Sequence, residues 1–126
     1  MRFPYDTSYL PPAPTLEIRL GSPEAPLRVG PLGALVDTGA DVCIVPTRYI
    51  EPLGMQVDNR KLLKGAWGEQ RPVDVYLLDL GIGEMRFPLV EIVADDRGDD
   101  VILGRNVLNK LVARLDGPRT VLELTA

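Results

Sequence analysis

The sequence predicts a single, all-β domain, and three observations lead to this prediction. The chain has 126 residues, which is the length of one average domain. Its apolar residues occur in short or alternating runs, and 12 glycines and 12 prolines separate these runs. No run approaches the roughly 18 apolar residues of a membrane-spanning helix, and no segment is repeated.

The first element is a proline-rich arm, residues 1–14. Prolines fix their own backbone angle and disfavour helix in the preceding residue, so the arm is expected to be extended. Such an arm is compatible with a flexible leader, a strap between subunits or a pro-segment that is cut off. The arm lacks the apolar stretch of a signal peptide, so a cytoplasmic location is expected. Residues 15–126 form the predicted domain.

Nine strands are predicted after the arm. They are Thr15–Leu20, Leu32–Asp37, Val42–Val45, Arg60–Lys64, Pro72–Leu80, Met85–Ala94, Val101–Leu103, Val112–Asp116 and Thr120–Leu124. Two stretches depart from the strand pattern. Thr47–Leu53 could hold a helical turn, which Pro52 limits. Arg105–Leu111 has apolar residues at helical spacing and predicts one short C-terminal helix.

The composition excludes several classes of function. There are 14 basic and 18 acidic residues, which gives a net charge of −4 and no basic cluster, so a nucleic-acid partner is not expected. Histidine is absent, which removes the commonest general base and the commonest metal ligand. Cys43 is the single cysteine and is expected to be a buried core thiol. Mechanisms that pair serine or cysteine with histidine are therefore excluded.

The stretch GALVDTGADVCIVP, residues 33–46, carries the clearest chemical signal. A β-prone, apolar segment, Ala34–Val36, ends at Asp37. Gly39 permits a sharp turn in which backbone N–H groups can point back at the carboxylate. Thr38 adds a hydroxyl that can bond a neighbouring backbone group or a second Thr38. Taken alone, Asp37, Thr38 and Gly39 are also compatible with a simple turn between strands.

Two segments resemble the retroviral-type aspartic proteases, the retropepsins. The active-site stretch is Ala34-Leu35-Val36-Asp37-Thr38-Gly39-Ala40-Asp41, and the second hallmark is Val101-Ile102-Leu103-Gly104-Arg105-Asn106-Val107-Leu108. They lie in the family's order and at about the family's separation. Between them, Lys64-Gly65-Ala66-Trp67-Gly68-Glu69 lies where a retropepsin has its flap, a β-hairpin that closes over the substrate. The resemblance covers residues 15–111.

The resemblance implies a closed β-barrel lobe, one per chain, and an aspartic endopeptidase without metal or cofactor. Such an enzyme activates a water molecule between two aspartates that share one proton. Because this chain has one Asp-Thr-Gly, a homodimer with one Asp37 from each subunit is implied. The substrate would be an extended peptide or protein, and no membrane partner is expected. The alternative is a non-proteolytic peptide-binding or dimerisation module with the same fold.

The resemblance also implies roles for the residues around Asp37. The loop itself would be shaped by Thr38, Gly39 and Ala40. Structural support would come from Ile102, Leu103, Gly104 and Arg105, with the first three beside Leu35 and Val36 and with Arg105 in an ion pair with Asp41. Substrate contacts are expected from Asp41, Gly65, Ala66, Trp67 and Gly68. For Trp67, a position in the core is the alternative.

Two segments lie outside the viral pattern. A hairpin is predicted in residues 112–124, whereas viral retropepsins end with one short strand, so the cellular and bacterial single-domain members are the closer resemblance. Either or both of its strands could pair across the dimer. The loop Asp95-Asp96-Arg97-Gly98-Asp99-Asp100 has four carboxylates that could bind Ca²⁺. Its spacing is not that of an EF-hand, so a solvated turn is expected and no metal site is predicted.

Overall fold

The computed structural model describes residues 1–126 and contains ten strands and two short helices. The strands are β1 (Arg2–Pro4), β2 (Thr15–Gly21), β3 (Val29–Val36), β4 (Cys43–Pro46), β5 (Asn59–Lys64), β6 (Gln70–Ile82), β7 (Met85–Asp95), β8 (Val101–Leu103), β9 (Val112–Asp116) and β10 (Val121–Thr125). The helices are α1 (Thr47–Ile50) and α2 (Arg105–Leu108), and a 3₁₀ turn (Glu51–Leu53) follows α1.

Six strands close into a barrel in the order β2, β3, β8, β4, β7, β6, and β6 returns to pair with β2. The pairs β3–β8 and β4–β7 are parallel, and the other pairs of the ring are antiparallel. β5 lies outside the ring and pairs only with β6. The predicted fold class is therefore confirmed as a single, mostly β lobe built on a closed barrel.

β2 shows how alternating buried and exposed side chains fill the barrel. In β2, Leu16, Ile18 and Leu20 are buried, whereas Glu17 and Arg19 between them are exposed. Successive side chains of a strand point to opposite faces, so one face of β2 packs into the core and the other faces solvent. Most buried residues of the ring strands belong to one apolar cluster, and Val73, Val75 and Val93 of β6 and β7 form a second, smaller one.

A second, three-stranded antiparallel sheet joins the two ends of the chain in the order β1, β10, β9. Leu122 and Leu124 of β10 are fully buried and belong to the same core as the barrel. β1 was not predicted, because three residues that end at Pro4 carry no strand pattern. Its pairing with β10 shows that residues 2–4 are part of the fold, so a flexible leader is wrong for these residues.

The short helices differ from the prediction at their ends. α2 ends at Leu108 rather than Leu111, and a turn at Asn109 and Lys110 leads into β9. α1 takes up the first part of the predicted helical turn, and the 3₁₀ turn around Pro52 replaces the rest. No helix of this chain combines the length and the apolar character that crossing a membrane requires.

β6 is longer than the predicted strand, which stopped before Gly81. Gly81 pairs with Arg86 inside the ladder, and a side chain at Gly81 would overlap that of Leu27. The chain reverses two residues later, at Gly83, whose φ of 57° is in the left-handed region. The first glycine thus serves close packing, and the second one makes the turn.

Asp79 is the single buried charged residue, with 2% of its surface exposed. Its carboxylate accepts the backbone N–H groups of Glu24 and Leu89, both at 3.0 Å, and pairs with Arg86 at 2.9 Å. Burial by itself would raise the pKa of Asp79, but the two N–H donors and Arg86 outweigh it and lower the pKa. Glu24 and Leu89 both have positive φ, so one carboxylate fixes two unusual backbone conformations.

Replacing Asp79 by Asn should lower the free energy of unfolding at pH 7 by about 2 kcal/mol, because charge-assisted hydrogen bonds to a buried group are lost. A lowered pKa stabilises the fold fully above the unfolded pKa of about 3.9 and loses this effect as the pH falls through the folded value. The difference between wild type and Asp79→Asn should therefore narrow below about pH 4. Urea titrations between pH 3 and pH 7 measure both effects.

The matched control is Asp58→Asn, because Asp58 is exposed and forms no ion pair. This variant should unfold like the wild type at every pH. Equal stability of Asp79→Asn and wild type at pH 7, or a gap that persists unchanged at pH 3, would contradict the assignment.

Candidate active site

Asp37 lies directly after β3, whose last three residues are the buried Ala34 and the half-buried Leu35 and Val36. Its backbone N–H donates to the Leu103 carbonyl of the neighbouring strand at 3.1 Å. Its carboxylate Oδ1 accepts the Gly39 N–H at 2.9 Å, and its carbonyl accepts the Ala40 N–H at 3.2 Å. The tight loop that the sequence predicts is therefore present. Hydrogen bonds to both the backbone and the side chain of Asp37 hold this half-buried residue in place.

The segment Ile102-Leu103-Gly104 supports this loop from the side. In the parallel β3–β8 pair, Leu35 lies opposite Ile102 and Val36 lies opposite Leu103, as the resemblance implies. Gly104 is buried, and a Cβ atom at this position would overlap the backbone carbonyl of Val42. Glycine is required here because the two backbones approach so closely, while its φ of −96° is open to any residue.

Arg105 supports the active-site loop in a different way from the prediction. Its guanidinium donates to the Thr38 carbonyl at 2.7 Å, and its backbone N–H donates to the Ala40 carbonyl at 2.8 Å. The structure has eight ion pairs, and neither Arg105 nor Asp41 takes part in any of them. The predicted Asp41–Arg105 pair is therefore wrong, because Asp41 is solvent-exposed and the guanidinium is turned to the loop carbonyl.

Asn106 is a supporting residue to which the sequence analysis gave no role. Its amide nitrogen donates to the Glu91 carbonyl at 3.0 Å, and its amide oxygen accepts the Cys43 thiol at 3.2 Å. α2 is thereby tied to β7 and β4 at once. The sequence did contain a signal, since Asn106 lies within the Gly-Arg-Asn part of the second hallmark segment. Its partners Glu91 and Cys43, however, lie 15 and 63 residues away in the sequence.

Cys43 is fully buried, which confirms the expected core thiol. Burial raises the pKa of Cys43 to about 11, although a hydrogen bond from the Gly104 N–H acts in the other direction. The thiolate that would act as a nucleophile is therefore scarce near neutral pH. Cys43 thus serves as a core residue in contact with Gly104 and Asn106.

The predicted hairpin is formed by β5 and β6, and its tip protrudes into solvent. Lys64 pairs with Gln70, and within the tip the Gly68 N–H donates to the Gly65 carbonyl at 3.1 Å. Gly68 has a φ of 83°, which favours glycine at this position. Trp67 is 95% exposed, so its alternative position in the core is wrong.

A small pocket of about 170 Å³ lies between the base of this hairpin and the segment after the active-site loop. Its apolar residues are Val42, Leu62, Leu63, Val73 and Val93, and its charged residues are Asp41, Lys61 and Lys64. The structure thus brings Asp41 together with the arms of the hairpin. The tip residues Gly65, Ala66, Trp67 and Gly68 do not line the pocket.

Two ion pairs fasten the hairpin to β7. Lys61 pairs with Glu91 at 2.8 Å, and Arg71 pairs with Asp95 at 2.7 Å. The second pair is well covered, and although burial would raise the pKa of Asp95, the N–H of Arg97 and the Arg71 guanidinium lower it. The arms of the hairpin are therefore fixed to β7 as far as Arg71, next to the tip, whereas the tip itself has no contact of this kind.

The carboxylates of the acidic loop are directed to different partners. Asp95 binds Arg71, Asp96 accepts the hydroxyl of Thr47 at 3.2 Å, and Asp99 pairs with Arg48 at 3.0 Å. No group of three or more acidic, cysteine or histidine side chains converges as a metal site would require. The largest cavity, about 570 Å³, lies beside this loop, and no residue of the active-site loop or the hairpin tip lines it.

The arrangement around Asp37 can supply one half of an acid–base pair. An exposed carboxylate oxygen can take a proton from water, whereas hydrolysis of an amide also needs a proton donor near the carbonyl or the leaving nitrogen. The chain has no histidine to fill that role. A second carboxyl group close to the first would fill it, because two such groups share one proton.

The chain matches a known protein family. Residues 29–110 match the family described as "gag-polyprotein putative aspartyl protease". This match spans β3 to the end of α2, and therefore both hallmark segments. No curated protein matches the chain in sequence.

Solved structures with the same fold come from a bacterium and from viruses. A retropepsin-like aspartic protease from Rickettsia conorii has a TM-score of 0.69 and 15% identity, over 100% of this chain and 92% of that one. The EIAV protease in complex with the inhibitor HBY-793 has a TM-score of 0.58 and 20% identity, over 78% of this chain and 86% of that one. The simian foamy virus (mac) protease has a TM-score of 0.55 and 22% identity, over 76% of this chain and 92% of that one.

Replacing Gly104 by Ala should destabilise the fold by about 2 kcal/mol or more, because the new methyl group overlaps the Val42 backbone and cannot move away. Gly33→Ala is the matched control, since nothing lies within 4 Å of a Cβ atom at Gly33. The control should unfold at or slightly above the wild-type temperature. Thermal melts of the three proteins test this, and equal melting temperatures for Gly104→Ala and Gly33→Ala would contradict the close approach.

Proposed function

Because the chain belongs to the gag-polyprotein aspartyl protease family, we propose that it is a homodimeric aspartic endopeptidase that hydrolyses peptide bonds in extended polypeptides. The observation that carries the proposal is the Asp37 loop, in which one carboxylate per chain is held rigidly by Gly39 and by the β8 backbone. One chain contributes one of the two carboxyl groups of the proposed site. A second copy of the chain contributes the other.

In the proposed mechanism the two Asp37 side chains hold one proton between them, because two like charges at hydrogen-bonding distance do not both stay ionised. The ionised Asp37 takes a proton from a water molecule, and the water oxygen attacks the scissile carbonyl carbon. The protonated Asp37 donates a hydrogen bond to the carbonyl oxygen and stabilises the charge that develops there. A proton then passes to the leaving nitrogen as the C–N bond breaks, and no covalent intermediate forms.

The substrate is proposed to lie as an extended strand between the active-site loop and the hairpin. Backbone hydrogen bonds along such a strand give affinity, and pockets for alternate side chains give selectivity. The 170 Å³ pocket, with its apolar floor of Val42, Val73 and Val93, suits an apolar side chain of the substrate. In this proposal the hairpin acts as a flap, with the exposed Trp67 at its tip covering the bound peptide.

The outer edge of β9 is the surface that best supports dimer formation. β10 is paired on both sides, by β1 and by β9, whereas β9 has a neighbour on one side only. Val112 and Leu115 of β9 are 64% and 55% exposed. An open strand edge with apolar side chains is a template for pairing with another strand, and β9 of a second copy would cover it.

The alternative, a peptide-binding module without catalysis, fits the site less well. A binder gains nothing from two carboxylates that repel each other at the centre of its cleft. The rigid loop and the second hallmark segment are both intact in this chain. These observations favour the enzyme.

Replacing Asp37 by Asn should abolish cleavage of a peptide library at mildly acidic and at neutral pH, because an amide cannot take the proton from water. The fold should persist, since Asn retains an oxygen that can accept the Gly39 N–H. Peptide binding should also persist, and the emission of Trp67, the single tryptophan, reports it. Asp58→Asn is the control with full activity. Equal cleavage by Asp37→Asn and wild type would remove Asp37 from the mechanism, and binding without cleavage by the wild type would favour the alternative.

Specific activity should fall on dilution, because the active species is the dimer. Leu115→Lys should raise the protein concentration at which half the activity is lost by about tenfold or more, since each subunit then brings a charged side chain in place of an apolar one into the proposed contact. Leu89→Lys is the control, because Leu89 is a similarly exposed leucine on β7. Sedimentation and activity are measured over the same dilution series. A strictly monomeric wild type, or a Leu115→Lys variant with wild-type dilution behaviour, would contradict this interface.

A further inference from the structure

The tip of the hairpin, residues 65–68, is a turn that backbone hydrogen bonds close. The Gly68 N–H donates to the Gly65 carbonyl at 3.1 Å, and the Gly65 N–H donates to the Glu69 carbonyl at 2.8 Å. Gly68 has a φ of 83°, and a turn followed by a left-handed glycine is a common connection in hairpins. These backbone contacts leave the Trp67 N–H without a backbone acceptor.

The side chain of Glu69 supplies the acceptor that the Trp67 N–H lacks. Its carboxylate Oε2 accepts this N–H at 3.0 Å, which is the one side-chain hydrogen bond of the tip. The Glu69 carboxylate takes part in none of the eight ion pairs of the chain. Glu69 therefore binds the turn twice, through its backbone carbonyl and through its side chain.

Gly65 leaves the space that this contact needs. A Cβ atom at Gly65 would overlap the Glu69 carboxyl group, and the three atoms nearest to it all belong to that group. The φ of Gly65 is not in the left-handed region, so the backbone does not require glycine here. The position of the Glu69 carboxylate accounts for the glycine instead. Alanine at this position would push the flexible Glu69 side chain away from the Trp67 N–H at little cost to the fold.

The tip continues from a hairpin arm that borders the active-site segment. Lys64, which directly precedes Gly65, lines the pocket of about 170 Å³ together with Asp41 and Val42. The loop that begins at Asp37 runs directly into Asp41. The turn that Glu69 braces is therefore next to a pocket that the active-site segment helps to form.

We propose that Glu69 is a positioning residue of the proposed protease, because its carboxylate holds the hairpin tip in the conformation that closes over a bound peptide. This inference rests on the proposed function. A tip that is already ordered loses less backbone freedom when it meets the peptide. Glu69 acts through the Trp67 N–H and does not itself contact the substrate. Loss of the contact therefore weakens peptide binding and leaves the hydrolytic step at Asp37 unchanged.

The test breaks the contact in two different ways. Glu69→Ala removes the acceptor and Gly65→Ala displaces it, so each should raise KM by about threefold to tenfold with kcat unchanged. Glu69→Gln keeps an oxygen that can accept the Trp67 N–H, and it should match the wild type. The double variant Gly65→Ala/Glu69→Ala should be no worse than either single variant, because both changes remove the same contact. Peptide cleavage is measured at a concentration where sedimentation shows every protein as a dimer.

Trp67 is the single tryptophan, so its emission gives a second readout that needs no activity. Time-resolved anisotropy of the free protein should show faster local motion of the indole in Glu69→Ala and in Gly65→Ala, and wild-type motion in Glu69→Gln. Glu84→Ala is a matched control, because Glu84 is exposed and forms no ion pair. Gly33→Ala is the other, because nothing lies within 4 Å of a Cβ atom there. Both controls should match the wild type in both readouts.

A wild-type KM or wild-type motion of Trp67 in Glu69→Ala would overturn the inference and leave the proposed function intact. Equal losses in Glu69→Ala and Glu69→Gln would also overturn it, because the charge of Glu69 would then act on the peptide. Additive losses in the double variant would do the same, because Gly65 would then have a contact of its own. An inactive wild type would refute the proposed protease instead. The dissociation constants of the same peptides then replace KM, and an unchanged affinity in Glu69→Ala would overturn the inference.

Discussion

The parallel pairing of β3 with β8 is the constraint on which the rest of the site depends. It places the Leu103 carbonyl where the Asp37 N–H can reach it, so that the loop begins at a fixed point. The same pairing brings Gly104 against the Val42 backbone, where a side chain has no room. Beyond Gly104 the chain turns at once into α2, and Arg105 then lies where it can bind the loop carbonyls. Removal of any one of these contacts would therefore loosen the others.

The hairpin is held firmly along its arms and only loosely at its tip. The arms are bound to β7 through Lys61 and Arg71, and the active-site loop is bound to α2. The hairpin tip has only its own turn contacts, and Trp67 faces solvent. The tip can therefore move without breaking an ion pair, whereas the arms and the active-site loop cannot.

The two ends of the chain form their own sheet, which one chain completes by itself. The central strand, β10, has no free edge, and its leucines, Leu122 and Leu124, anchor the sheet on the barrel. The two outer strands, β1 and β9, each keep one unpaired edge. Another strand can add to such an edge, and β9 also exposes the apolar side chains of Val112 and Leu115.

The sequence by itself determined the all-β class, most strands and the Asp37 loop, because alternation and the Asp-Thr-Gly turn are local and need no distant partner. It also indicated the close approach at Gly104, through a matched segment. Only the tertiary structure decided that Arg105 binds Thr38 instead of Asp41, that Asn106 joins Cys43 to β7, and that residues 2–4 are a strand. These contacts join groups 15 to 121 residues apart. Which donor meets which acceptor there depends on how the closed barrel orients side chains that have several partners within reach.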